Sequence, residues 1–145
     1  MANETHQYET AVVWTEDRRG TLAAASCPSI MTGAPPEFGG TDNLWSPELL
    51  CVAAVNSCLM LTFVAVAANS RVPFRQYSAS ATGTLEKVEG RGQVITKVVV
   101  KPRVTIGPDV DRAKVERLLQ IAEKHCFISN SLRSEVTLEP EIVTA

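Results

Sequence analysis

The sequence predicts an α+β fold. Three observations carry that expectation: a β-rich hairpin near the N-terminus, a long charge-free helical run in the middle, and a two-strand meander followed by an amphipathic helix and a closing strand. The hairpin is formed by Tyr8–Trp14 (YETAVVW) and Thr21–Ala25, around the polar turn Thr15-Glu16-Asp17-Arg18-Arg19-Gly20. From Cys27 to Trp45 the chain holds Pro35-Pro36 and Gly39-Gly40 and little periodic pattern, which reads as a long functional loop.

Ser46-Pro47-Glu48 marks a helix start: a capping hydroxyl, a proline suited to the first helical position, and an acid facing the positive end of the dipole. The helix is expected to run to about Asn69. Leu49–Ala68 contains no charge, so a membrane span has to be weighed. Asn56, Ser57, Asn69 and Glu48 in or beside it, sparse basic flanks and the amphipathic elements that follow favour a buried central helix instead. Phe74–Val88 and Gln93–Ile106, joined at Glu89-Gly90-Arg91-Gly92, predict an antiparallel pair. Pro108-Asp109-Val110-Asp111 opens a second helix to about His125. Val115, Leu118, Leu119 and Ala122 form its apolar stripe, and Cys126 continues it. Ser134–Val143 is expected as one last strand.

The chain has 145 residues, 45% apolar and 21% charged, with net charge −2, which suits a single globular domain over residues 1–145. No Lys/Arg cluster signals nucleic acid, and the polar start Met-Ala-Asn-Glu-Thr-His lacks the pattern of a secretory signal. A reducing cytoplasm is the expected compartment, and there Cys27, Cys51, Cys58 and Cys126 are not expected to build a structural disulfide framework. Zinc is weakly supported: no Cys-x-x-Cys pair exists, and the histidines are His6 and His125. The thiols are therefore buried, reactive or both. Only tertiary packing can bring Cys58, in the middle of the first helix, to Cys126, at the end of the second. A thiolate that attacks a peroxide becomes a sulfenic acid, which a second thiol condenses to a disulfide. It needs a positive neighbour, since burial alone raises its pKa, and Arg18 or Arg19 is available.

From about Tyr8 to Val143 the chain resembles the OsmC/Ohr superfamily of osmotically inducible and organic hydroperoxide resistance proteins. The resemblance lies in Pro-Glu-Phe-Gly-Gly (36–40), Trp-Ser-Pro-Glu-Leu-Leu (45–50), Ala-Ala-Val-Asn-Ser-Cys (53–58) and His-Cys-Phe-Ile-Ser-Asn-Ser-Leu (125–132), in that order and spacing. It implies an intertwined homodimer with antiparallel sheets packed around long central helices. It assigns Cys58 as the peroxidatic cysteine, Cys126 as the resolving one, and Glu48 as the carboxylate paired with a catalytic arginine, Arg18 by alignment and Arg19 by a one-residue slip. Apolar groups at Phe38, Trp45, Met60 and Phe127 are candidates for holding an alkyl or fatty-acyl hydroperoxide. No cofactor is implied. The reductant is a dithiol, with lipoylated proteins known for the Ohr branch. Phe127 stands where the Ohr pattern has proline, and Trp-Ser-Pro-Glu replaces Thr-Asn-Pro-Glu, which places the chain in the broader OsmC-like branch. The alternative function is a binding protein that holds a hydrophobic small molecule on the same scaffold without turnover. Cys51 reads as core packing, Cys27 as a neutral loop residue, and His125 as a helix-end histidine.

Overall fold

The computed structural model describes residues 4–145, so the first three residues of the polar start lie outside it. The chain divides into two compact units at Leu50/Cys51. In the first, β1 (Ala11–Glu16), β2 (Arg19–Ala23) and β3 (Ile30–Gly33) form an antiparallel sheet in that order. The hairpin turn is shorter than the expected six residues. Pairing continues to Glu16↔Arg19, across an irregularity after Trp14, which leaves Asp17 and Arg18 as the tip. Asp17 takes a positive φ of 48°, a conformation its short polar side chain tolerates. The loop beyond Cys27 also holds more order than its composition suggests. It contains β3 and a 3₁₀ turn, Pro36–Phe38, which ends on Gly39 at φ 84°. Gly40 is required by a close approach, since a Cβ there would lie 1.6 Å from Ala34 O. Thr32 Oγ1 donates to Trp45 O at 2.6 Å and ties the end of the loop to β3.

Helix α1 spans Pro47–Asn69, as the capping signals predict. Ser46 Oγ accepts from Leu49 N–H at 3.1 Å, satisfying one of the free donors of the first turn. The helix is long and apolar enough to cross a membrane, yet only 17% of its apolar window is buried within the chain.

In the second unit, the stripe Val55, Leu59, Phe63 and Ala67 repeats every four residues and faces a common core. The other walls are the even-numbered residues Val98, Val100, Val104 and Ile106 of β5, and Val115, Leu118, Leu119 and Ala122 of α2. Strands β4 (Gln76–Val88) and β5 (Gly92–Ile106) pair antiparallel through a tight turn with Gly90 at φ 81°. Gly83 lets α1 approach the sheet, since a Cβ there would stand 2.5 Å from Val52 Cγ2.

Helix α2 (Arg112–His125) starts at Asp111, whose carboxylate accepts from Ala113 N–H at 3.0 Å. The short helix α3 (Phe127–Ser131) follows directly, with Cys126 ending one helix and opening the next. The closing segment departs from the antiparallel expectation in two ways. It forms two strands, β6 (Glu135–Leu138) and β7 (Glu141–Thr144), and both pair with β5 in parallel. The direction follows from α2, a helical crossover that returns the chain to the start of β5. The break falls at Pro140, which has no N–H for the ladder; the two strands keep one register, Leu138 opposite Val100 and Glu141 opposite Arg103. The α+β class stands, with one antiparallel and one mixed sheet.

Candidate active site

Cys58 lies on the flank of α1, one position before the core residue Leu59. Cys126 is fully buried at the α2–α3 junction. The fold brings the two thiols near enough, across 68 residues of sequence, for each to shift the other's pKa. All four cysteines are free, so the pair is in its dithiol state.

Burial pushes the Cys58 thiol up, but hydrogen bonds outweigh it and bring its pKa below the ordinary thiol value of 9.0. The donors are the backbone N–H of Ile128, the Cys126 thiol, the Thr62 hydroxyl and the backbone N–H of Phe127. Thr62 stands one helical turn from Cys58. Its single proton is donated to Cys58 O at 2.8 Å, while its oxygen stays 3.9 Å from Cys58 Sγ. The largest lowering effect comes from the Ile128 N–H in the first turn of α3, where N–H groups have no partners within the helix. Asn130 N–H donating to Cys126 O at 3.0 Å, and Asn130 Nδ2 donating to Lys124 O at 2.9 Å, hold that turn in place.

Cys126 shifts in the opposite direction. Burial raises its pKa, and the hydrogen bond to Cys58 and that group's charge raise it further, against the opposing pull of the Ser129 hydroxyl and N–H. One sulfur is thus prepared to be the anion and its neighbour to hold the proton.

Within the first unit, Arg18, Arg19, Glu48 and Phe38 line one open cavity of about 610 Å³ with Val12 and Trp14. The Arg18 guanidinium lies over Gly39, with Nε 3.2 Å from where a Cβ would be. Among the described residues, no ion pair includes Arg18, Arg19 or Glu48. Glu48 Oε1 is buried without a hydrogen-bond partner. The predicted carboxylate and arginine thus share a cavity without being paired.

The apolar candidates are scattered. Trp45 is half exposed and does not line that cavity. Met60 lines a separate hollow of about 290 Å³ with Asn56 and Tyr77, whose phenol burial pushes up to about 12. Phe127 is 81% exposed and serves the site through its N–H. Cys51 is half-buried and Cys27 exposed, and His125 sits in the last turn of α2. Among the described residues, no three His, Cys, Asp or Glu side chains converge to hold a metal ion.

Sequence reasoning missed Thr62, Ser129 and the N–H groups of Phe127 and Ile128. Thr62 carried a readable signal, four residues after Cys58 and so on the same helix face. The others depend on how α3 meets α1.

Comparison with known proteins identifies the family and the fold. Residues 40–141 match the family model described as OsmC-like protein. The peroxiredoxin OsmC of Escherichia coli K12 is 27% identical over 97 residues, a stretch covering 67% of this chain and just under two thirds, 66%, of that protein. Among solved structures, an OsmC-like protein of unknown function from Vibrio cholerae superposes with a TM-score of 0.87 at 27% identity, covering 94% of this chain and 99% of that one. An organic hydroperoxide resistance protein from Elizabethkingia anophelis shares the fold at a TM-score of 0.78 and 17% identity, covering 99% of this chain and 100% of that one. With a family match over most of its length and a thiol pair set between α1 and α3, the chain belongs to the OsmC-like family.

Proposed function

We propose that the protein is a thiol peroxidase that reduces organic hydroperoxides to alcohols in a reducing cytoplasm. The observation that carries this reading is the juxtaposition of Cys58, with a lowered pKa, and Cys126, with a raised one. The Cys58 thiolate attacks the distal peroxide oxygen and the O–O bond breaks. The alkoxide leaves and takes up a proton as the alcohol, while Cys58 becomes a sulfenic acid. Cys126 then displaces water to form the Cys58–Cys126 disulfide, and a dithiol, on the family's precedent a lipoylated protein, reduces it. We assign Arg18 to stabilising charge on the thiolate and on the leaving oxygen, with Glu48 orienting it. The open acceptor Glu48 Oε1, in the cavity that Arg18 lines, supports that part. Phe38 and Trp14 give the cavity an apolar wall suited to an alkyl chain.

The two units work as one OsmC-like domain in this reading, and the domain acts as a homodimer. Support for the dimer comes from α1, where Leu61 is 60% exposed and Val64 41% exposed on a helix that carries no charge after Glu48. Such a face calls for a partner, and a second copy supplies an identical one.

The test is consumption of cumene hydroperoxide, a fatty-acid hydroperoxide and hydrogen peroxide by reduced protein, with dihydrolipoamide for turnover. Cys58→Ser is expected to abolish activity, and Arg18→Ala to lower it at least tenfold, the scale of one lost charge-stabilising donor. Equal rates in Cys58→Ser and the parent would leave a hydrophobic-ligand binder as the surviving reading. A loss confined to Arg19→Ala would move the cationic role by one residue.

A further inference from the structure

The Ser129 hydroxyl has no assigned task, although its surroundings set it apart. Ser129 is the third residue of α3, counted from Cys126 as the cap. Its Oγ is buried and makes no hydrogen bond in the dithiol state. A serine in a helix ordinarily turns its proton to the carbonyl one turn back. Ser131, two residues on, does so and donates to Phe127 O at 2.7 Å. Ser129 makes no such bond, and its hydroxyl and backbone N–H both act on the Cys126 sulfur in favour of the thiolate. A buried hydroxyl without a partner costs stability, so this arrangement has to be explained.

We propose that Ser129 is the positioning residue for disulfide formation: its hydroxyl donates to the Cys126 sulfur as negative charge develops there. This assignment rests on the thiol peroxidase reading and concerns its second step. In that step the Cys126 S–H bond breaks and its sulfur bonds to the Cys58 sulfur. The Cys58 S–O bond breaks, and the hydroxyl leaves with the Cys126 proton as water. The Cys126 sulfur is oxidised and the sulfenic sulfur reduced, both to the disulfide level. Burial holds Cys126 as a thiol until it is needed, which protects it but makes it a poor nucleophile. A donor that engages only as the charge forms lowers that barrier without making Cys126 reactive at rest.

The experiment mixes reduced protein with one equivalent of cumene hydroperoxide. Peroxide loss, dimedone-trapped Cys58 sulfenic acid and the disulfide are followed separately, in the parent, Ser129→Ala and Ser129→Thr. In Ser129→Ala, peroxide loss keeps the parent rate, the disulfide forms about tenfold more slowly, as expected for one hydrogen bond to a charged sulfur, and trapped sulfenic acid accumulates. Its disulfide step also moves to higher pH, and Ser129→Thr restores both rate and pH profile. A parent-like disulfide rate in Ser129→Ala overturns the assignment. So does equal slowing of both steps, which would mark a purely structural role, or a Thr variant as slow as Ala. A parent that consumes no peroxide overturns the peroxidase reading itself, and this assignment with it.

Discussion

At the scale of single residues, the unusual property of Cys58 is that enclosure does not silence it. Partial burial should hold the proton on its sulfur, yet the α3 N–H groups and the Cys126 thiol reverse that effect. The sign is open to measurement. A stabilised thiolate persists to lower pH, so alkylation of Cys58 by iodoacetamide, followed by mass spectrometry against pH, should show its midpoint below 9.0. Cys126→Ala removes one donor and should move that midpoint up; a midpoint at or above 9.0 in the parent would contradict this account. Cys58 and Cys126 were legible in the sequence because local motifs surround them. Thr62, Ser129 and the N–H groups of Phe127 and Ile128 were not singled out, since what matters is which atoms face a sulfur after packing. Arg18 and Glu48 were read from the sequence as a pair, and the structure sets them in one cavity unpaired.

Among the elements, α1 was the most legible, since Ser46, Pro47 and Glu48 announce its start and no glycine or proline interrupts it. Strand β3 was hidden: four residues between turn-rich stretches carry too little period to stand out. The closing strand was seen, but its direction was not, because a parallel partner follows from the crossover of α2 rather than from any feature of residues 134–143. What α1 contributes to stability is concentrated at Phe63. Its ring is fully buried, 5.3 Å from Phe74 and 5.5 Å from Tyr77 between centroids. Phe63→Ala should cost about 3–5 kcal/mol in urea unfolding, from lost transfer energy and the cavity left behind. A loss below about 1 kcal/mol would show that the site collapses and that the core is held elsewhere.

For the whole molecule, the exposed side of α1 leads to a prediction about assembly. Light scattering in detergent-free buffer should give twice the chain mass. Leu61→Glu should shift it toward the single-chain mass with an unchanged circular dichroism spectrum, since Leu61 lies outside the core. A parent that requires detergent would assign that face to lipid instead. The juxtaposition of Cys58 and Cys126 has a kinetic consequence at this scale. In the proposed cycle the two neighbouring sulfurs join within one molecule, so ring closure is a first-order event at high effective molarity. Hyperoxidation to a sulfinic acid is second-order, because it awaits another peroxide molecule. Raising peroxide therefore speeds the damaging branch alone, and the concentration at which the two branches balance measures how close the fold holds its thiols.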